Sequence, residues 1–257
     1  MRKPEKIKKL LNEKGISVFF PAYNEEENVE ICINNTRDFL LGLTDNFEII
    51  LVNDGSIDKT GKVADQLAKV YSRVRAIHHP SNKGYGAALK TGFSACSKDL
   101  IFYTDADNQF DINELNMFLN LIFDYDLILG YRAERKDPWM RLFYSRMYHI
   151  VINMIMHIKL KDADCSYKLF KKEVIDSMEL LSDTGFIDVE IIIKAVSNNF
   201  KFCEIPVTHF PRTRGTVSFE YFRLGGFSPV KPKAILDLVK DMIDVKKILK
   251  KSNSSLG

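Results

Sequence analysis

The chain has 257 residues, room for one large α/β domain or one domain with an appendage. Hydrophobic residues make up 46% of it, enough to bury a sizeable core, which excludes a disordered chain. A formal net charge of +3 is too mild to imply nucleic acid as a partner, so any basic function has to be local.

Residues 1–15 read as a charged N-terminal extension, with no long apolar region after them to make a signal peptide. From Ile16, short apolar runs alternate with longer segments of helical spacing. Ile16–Phe20, Phe47–Val52, Val74–His78, Leu100–Thr104 and Asp126–Leu129 have strand length and strand residues. Glu25–Leu40, Thr60–Tyr71, Gly86–Ala95 and Ile112–Phe123 lie between them as helices. This alternation predicts an α/β fold, its mostly parallel sheet flanked by helices on right-handed crossovers.

After Gly130 the rhythm changes. Trp139–Ile158 is expected as a helix with a polar stripe of Arg141, Ser145, His149, Asn153 and His157. It either packs on the sheet or rests on a membrane surface. Its apolar part, Met147–Ile158, falls short of the roughly 20 residues that span a bilayer. Phe186–Asn198 is the next helix, and Lys201–His209 is a strand whose Pro206 points to a sheet edge or a bulge. The main domain is expected over 16–219. Residues 220–257 read as a linker and a basic amphipathic helix, whose Lys246, Lys247, Lys250 and Lys251 suit an anionic membrane or the helix macrodipole. Cys32, Cys96, Cys165 and Cys203 lack metal-ligand spacing and read as reduced thiols of a cytosolic protein.

Each early strand ends in a polar loop, and these loops should meet at one edge of the sheet, where open α/β sheets bind ligands. In Pro21-Ala-Tyr-Asn-Glu-Glu-Glu-Asn28, Asn24 and Glu27 fit a helix cap, while Pro21 and Tyr23 make a wall for a flat base. In Asn53-Asp-Gly-Ser-Ile-Asp58, the Asp54 carboxylate can accept from a ribose or a base, and Ser56 or Asp58 can cap a helix. Asn82-Lys-Gly-Tyr-Gly86 brings Lys83 and backbone N–H groups to a helix start, without the spacing of a P-loop or of a dinucleotide fingerprint. Finally, Leu100-Ile-Phe-Tyr-Thr-Asp105-Ala-Asp107-Asn-Gln109 delivers two carboxylates to the same edge. They are either a magnesium site or solvated and capping acids of a loop.

These four segments, in this order, resemble family 2 of the inverting glycosyltransferases, most closely the dolichol-phosphate mannosyltransferase-like and polyprenyl-phosphate glycosyltransferase branch. The resemblance continues through Leu129-Gly-Tyr-Arg132, Asp162-Ala-Asp-Cys-Ser-Tyr-Lys-Leu-Phe170 and His209-Phe-Pro-Arg212-Thr-Arg-Gly215, and so covers roughly 16–218. Two positions depart from the family pattern. Ser166 stands where the family has glycine, and the Gly-x-Ser ending is one residue longer, as Gly215-Thr-Val-Ser218.

The resemblance implies a GT-A fold and hexosyl transfer, with inversion, from a GDP- or UDP-linked sugar. Pro21, Tyr23, Glu25, Asp54 and Lys83 would hold the nucleotide. Asp105, Asp107 and Gln109 would bind Mg2+ or Mn2+, with Gln109 as the third ligand. Arg132 and Arg212 would contact phosphates. Asp162, Asp188, Glu190 and Arg214 fall on the sugar or acceptor side, and Asp188 and Glu190 are the candidate general bases. The expected acceptor is a polyprenyl phosphate at the cytoplasmic membrane face. A soluble glycan or protein hydroxyl is the alternative, and so is a nucleotide-sugar binding module without turnover.

Overall fold

The computed structural model describes residues 3–133, 160–215 and 240. Strands β1 (Ile16–Ala22) and β2 (Phe47–Asn53) are buried along their whole length, as expected of strands that are apolar toward both faces. Val18, Phe20, Ile49 and Leu51 enter one core layer, and Phe19, Ile50 and Val52 enter the other. Helices α2 (Val29–Leu41), α3 (Thr60–Val70) and α5 (Leu115–Leu119) complete the first layer. The second is covered by α4 (Tyr85–Ala95), α6 (Lys172–Asp176) and α7 (Ile187–Ser197).

The sheet has seven strands in the order β3-β2-β1-β4-β6-β5-β7, with β3 at Val74–His78, β4 at Leu100–Tyr103, β5 at Leu127–Arg132, β6 at Lys168–Lys171 and β7 at Phe202–Val207. Among the described strands only β6 runs antiparallel, against β4 on one side and β5 on the other. One edge of the sheet therefore collects the carboxyl ends of the other strands together with the amino end of β6. Chain order reverses between β1 and β4, whose pairing is parallel. A crevice opens at such a switch point. Pro206 lies in β7, the terminal strand of this sheet, so the missing N–H interrupts no inner ladder.

Several elements differ from expectation. Residues 3–14 form helix α1, and its Ile7 and Leu11, one turn apart, are buried in the first core layer. The α2 helix begins only at Val29, because residues 24–28 are tied to the neighbouring loop. The helix expected over Ile112–Phe123 is a 3-10 turn at Ile112–Glu114 followed by the short α5. There Asn120 bonds the Asn116 carbonyl at 2.6 Å, a side-chain competitor for the backbone of the last turn. The strand β6 was read only as part of a motif. The expected helices over 139–158 and from Ile235 lie outside the described residues. Among the described residues, no helix is long and apolar enough to cross a membrane.

Two glycines set how closely the layers approach. Gly92 on α4 faces β1, where a Cβ would sit 2.3 Å from the Phe19 ring. Gly55 has φ +67°, and a Cβ there would meet the Ser81 backbone at 2.2 Å, so the turn after β2 can lie directly against the loop after β3.

Candidate active site

The loops after β1 and β2 are zipped together. Asn24 takes a left-handed backbone (φ 57°) and, instead of capping α2, accepts from the Ile57 N–H at 2.9 Å. The N–H groups of Asn24 and Glu25 donate to Ser56 Oγ and Thr60 Oγ1 at 2.9 and 2.8 Å. Asp58, two residues before α3, accepts from the Thr60 N–H at 2.9 Å, while the N-cap itself is Lys59. Pro21 lies inside β1 opposite Val52, and Tyr23 is half-buried just beyond it.

Asp54 is buried at the end of β2. One carboxylate oxygen bonds His79 Nδ1 at 2.6 Å and the Lys83 N–H at 2.9 Å; the other accepts from the Gly84 N–H at 3.0 Å. Asp54 thus pins the 79–84 loop, while the Lys83 side chain is exposed. His79 was not foreseen. Its second nitrogen bonds Thr91 Oγ1 at 2.9 Å, so it joins Asp54 to α4. Nothing in His78-His79-Pro80 distinguishes it from an ordinary loop histidine.

Asp105 and Asp107 follow β4. The Ser166 hydroxyl donates to Asp105 Oδ2 at 2.6 Å, and the Gln109 N–H donates to Asp107 Oδ1 at 3.0 Å. Burial pushes the Asp105 carboxyl up to about 7, and the charge of Asp107 pushes the same way. Gln109 is fastened to the segment after β7, for its side-chain amide donates to the Phe210 carbonyl at 2.8 Å and its own carbonyl accepts from the Phe210 N–H at 2.8 Å.

That segment also carries Arg212. Its Nη2 donates to both Glu25 oxygens at 2.6 Å, and its Nη1 lies 3.8 Å from Asp107. Arg212 therefore bridges the first loop and the acid pair. Burial pushes the Glu25 carboxyl up, against the bonds from Arg212 and Asn28. The Arg214 side chain is exposed, while its carbonyl accepts from Arg212 Nε at 2.9 Å.

On the other side of the acid pair, Arg132 ends β5 and grips Asp162 through two parallel bonds, Nε to Oδ2 at 2.6 Å and Nη2 to Oδ1 at 2.7 Å. Burial opposes the charge on Arg132, but Asp162 more than compensates and holds the guanidinium protonated. Asp188 is buried against Lys168, whose ammonium lies 2.6 Å away, and it also accepts from the Tyr103 hydroxyl. Glu190 has no exposed surface; it accepts from the N–H groups of Leu181 and Ser182 at 2.9 Å and pairs with Lys194 at 2.6 Å. Both of these candidate general bases thus sit in buried ion pairs.

Residues 17–178 match the family described as Glycosyl transferase family 2. The chain belongs to glycosyl transferase family 2. Among its relatives in the family, the glycosyltransferase AglD of Haloferax volcanii is 30% identical over 77% of this chain and 33% of its own length. An undecaprenyl-phosphate 4-deoxy-4-formamido-L-arabinose transferase of Proteus mirabilis is 29% identical over 81% of this chain and 64% of its own. The polyprenol monophosphomannose synthase of Mycolicibacterium smegmatis is 28% identical over 77% and 78%. The chain thus spans a third of AglD and under two thirds of the arabinose transferase.

Among solved structures, glucosyl-3-phosphoglycerate synthase from Mycobacterium tuberculosis in complex with Mn2+, UDP and phosphoglyceric acid superposes with a TM-score of 0.63. It is 16% identical and covers 82% of this chain and 75% of its own. The fold is that of the GT-A glycosyltransferases.

Whether a divalent cation suits this family 2 chain can be judged from its donors. Among the described residues no three His, Cys, Asp or Glu side chains cluster as a ready cage. Asp105 and Asp107 are instead two hard oxygen donors, and burial, joined by the charge of Asp107, raises the Asp105 carboxyl. Such a pair fits a cation that takes one or two carboxylates and completes its shell with substrate phosphate and water.

Proposed function

We propose that this chain transfers a hexosyl group from a GDP- or UDP-linked sugar to a polyprenyl phosphate, with inversion and with the help of Mg2+ or Mn2+. The observation that carries the reading is the meeting of Asp105, Asp107 and the Arg212–Glu25 bridge at the β1/β4 switch point. The names of the relatives, two of which use a polyprenyl carrier in their printed description, support the acceptor.

In this reading Pro21 and Tyr23 flank the base, and the loop pinned by Asp54 offers backbone and Lys83 to the nucleotide. Asp105 and Asp107, with Gln109, hold the cation, which when bound neutralises charge on the departing diphosphate. Arg212, adjacent to Asp107, and Arg132, oriented by Asp162, supply fixed positive charge for phosphates. The bond from the anomeric carbon to the diphosphate oxygen breaks, and its electron pair leaves with the nucleoside diphosphate. An oxygen of the acceptor phosphate forms the new bond from the opposite face.

A phosphate acceptor arrives as an anion and needs no base. That fits the burial of Asp188 and Glu190 in lysine pairs better than a hydroxyl acceptor does. At the cytoplasmic membrane face, this chain would meet its lipid acceptor as a peripheral protein.

The test mixes purified protein with labelled GDP- and UDP-sugars, a polyprenyl phosphate and Mg2+ or Mn2+. Labelled lipid is expected with one donor class. No labelled lipid with any donor would overturn the proposal, and label on a soluble glycan in the absence of lipid would transfer it to the hydroxyl acceptor.

A further inference from the structure

We propose that Ser166 is a positioning residue for the cation-binding carboxylate Asp105, a role that rests on reading Asp105 and Asp107 as the cation pair. Ser166 is 3% exposed, and its hydroxyl donates its one proton to Asp105 Oδ2 at 2.6 Å. A carboxylate has about four lone-pair sites. One donated bond fixes the rotamer of Asp105 and leaves the remaining sites for a cation.

The serine is held there from both ends of a short segment. Upstream, Asp162 is clamped by Arg132, and the Cys165 N–H returns to the Asp162 carbonyl at 3.3 Å. Downstream, Lys168 opens β6 opposite Tyr103. Its buried ammonium bonds Asp188 and the Cys165 carbonyl at 2.6 Å and the Tyr103 hydroxyl at 3.1 Å. All three N–H groups are used, so the ammonium cannot drift and the turn at Cys165 is fixed. On the opposite face of the sheet, the Tyr167 hydroxyl bonds the Asp111 carbonyl at 3.0 Å, which ties the same segment to the chain just beyond Asp107.

The consequence is a division of labour. Lys168 and Asp162 locate the turn, and Ser166 converts that location into an orientation of Asp105. Glycine, the residue of the family pattern at this position, has no hydroxyl to do this.

The experiment measures Mn2+ binding in the presence of UDP, by the electron paramagnetic resonance signal of free Mn2+, for the wild type, Ser166→Ala and Ser166→Gly. Partners that orient a metal ligand typically govern about 10-fold or more in affinity. Both variants are expected to bind Mn2+ about 10-fold more weakly, while thermal unfolding in EDTA stays at the wild-type midpoint. Ser166→Thr, which keeps the hydroxyl, should recover affinity toward wild type. Equal Mn2+ affinity in the wild type and in both hydroxyl-free variants overturns the role of Ser166 and leaves the cation site standing. A wild type that binds no Mn2+ overturns the cation reading and this role with it.

Discussion

On the β1–β2 side of the carboxyl edge, the loops are tied to one another mainly by bonds to backbone N–H groups and hydroxyls. Asn24 meets a backbone N–H, Glu25 and Asn24 donate to hydroxyls, and Asp54 gathers a histidine and two backbone N–H groups. On the β5–β6 side polar groups are satisfied by opposite charge, in Arg132–Asp162, Lys168–Asp188 and Lys194–Glu190, all nearly or fully buried. The difference bears on what each side can do. A single bond of the first kind exchanges for one to water or ligand at small cost, about 1 kcal/mol. A buried ion pair leaves an uncompensated charge when either member goes. Under the proposed function, the first side would receive the nucleotide, and the second would hold the geometry around Asp105 still.

Loss of function should be largest where the two sides meet. Asp107→Asn is expected to lower sugar transfer about 100-fold or more with the unfolding transition unchanged; a fully active variant would separate the acid pair from the chemistry. Next comes the stability contrast itself. Lys168→Met strands Asp188 and should cost about 3–5 kcal/mol in urea unfolding, whereas Asp58→Ala, which removes the bond to the Thr60 N–H on the β1–β2 side, should cost about 1 kcal/mol. Equal costs would erase the distinction. Gly92→Ala tests the packing beneath both sides, since the added methyl must displace the Phe19 ring. It should cost about 1–3 kcal/mol, without changing Mn2+ affinity.

The smallest effect concerns pH. Burial alone would raise the Glu48 carboxyl, but bonds from Ser17, Ser97 and Arg75 outweigh it and hold the group below its ordinary 4.5. A depressed acid contributes stability that is present above the unfolded value and lost as pH falls through the folded one. Wild-type stability should therefore fall on acidification below about 4.5, and Glu48→Gln should flatten that slope. An unchanged slope would show that Glu48 carries none of it.

The same contrast explains what the residues revealed. The strands up to β4 were legible because they are short and mostly apolar, and the loops after them hold turn and cap residues. The meeting of Asp105 with Glu25 and Asp54 at one edge followed from parallel topology alone. The strand β6 was not legible, since Lys168-Leu-Phe-Lys171 is short and polar at both ends. The burial of Asp188 and Glu190 was missed, though a signal existed. Ile187–Ser197 is apolar nearly all round, a helix of that kind is buried, and its acids then need partners such as Lys194 one turn on. In α1, likewise, Ile7 and Leu11 share one face among lysines. The Arg212–Glu25 bridge had no sequence signal, because no local pattern joins residues so far apart.

That separation, 187 residues, has a consequence for the life of the chain. Synthesis proceeds from the N-terminus, so β1 through β4 leave the ribosome long before Arg212 does. Until then Glu25 and Asp107 lack the guanidinium that joins them. Under the proposed function, a nascent chain that owns every strand of the first half would still lack the arginine that faces the donor's phosphates. The bridge closes late, when the segment after β7 lays its arginine between the two acids.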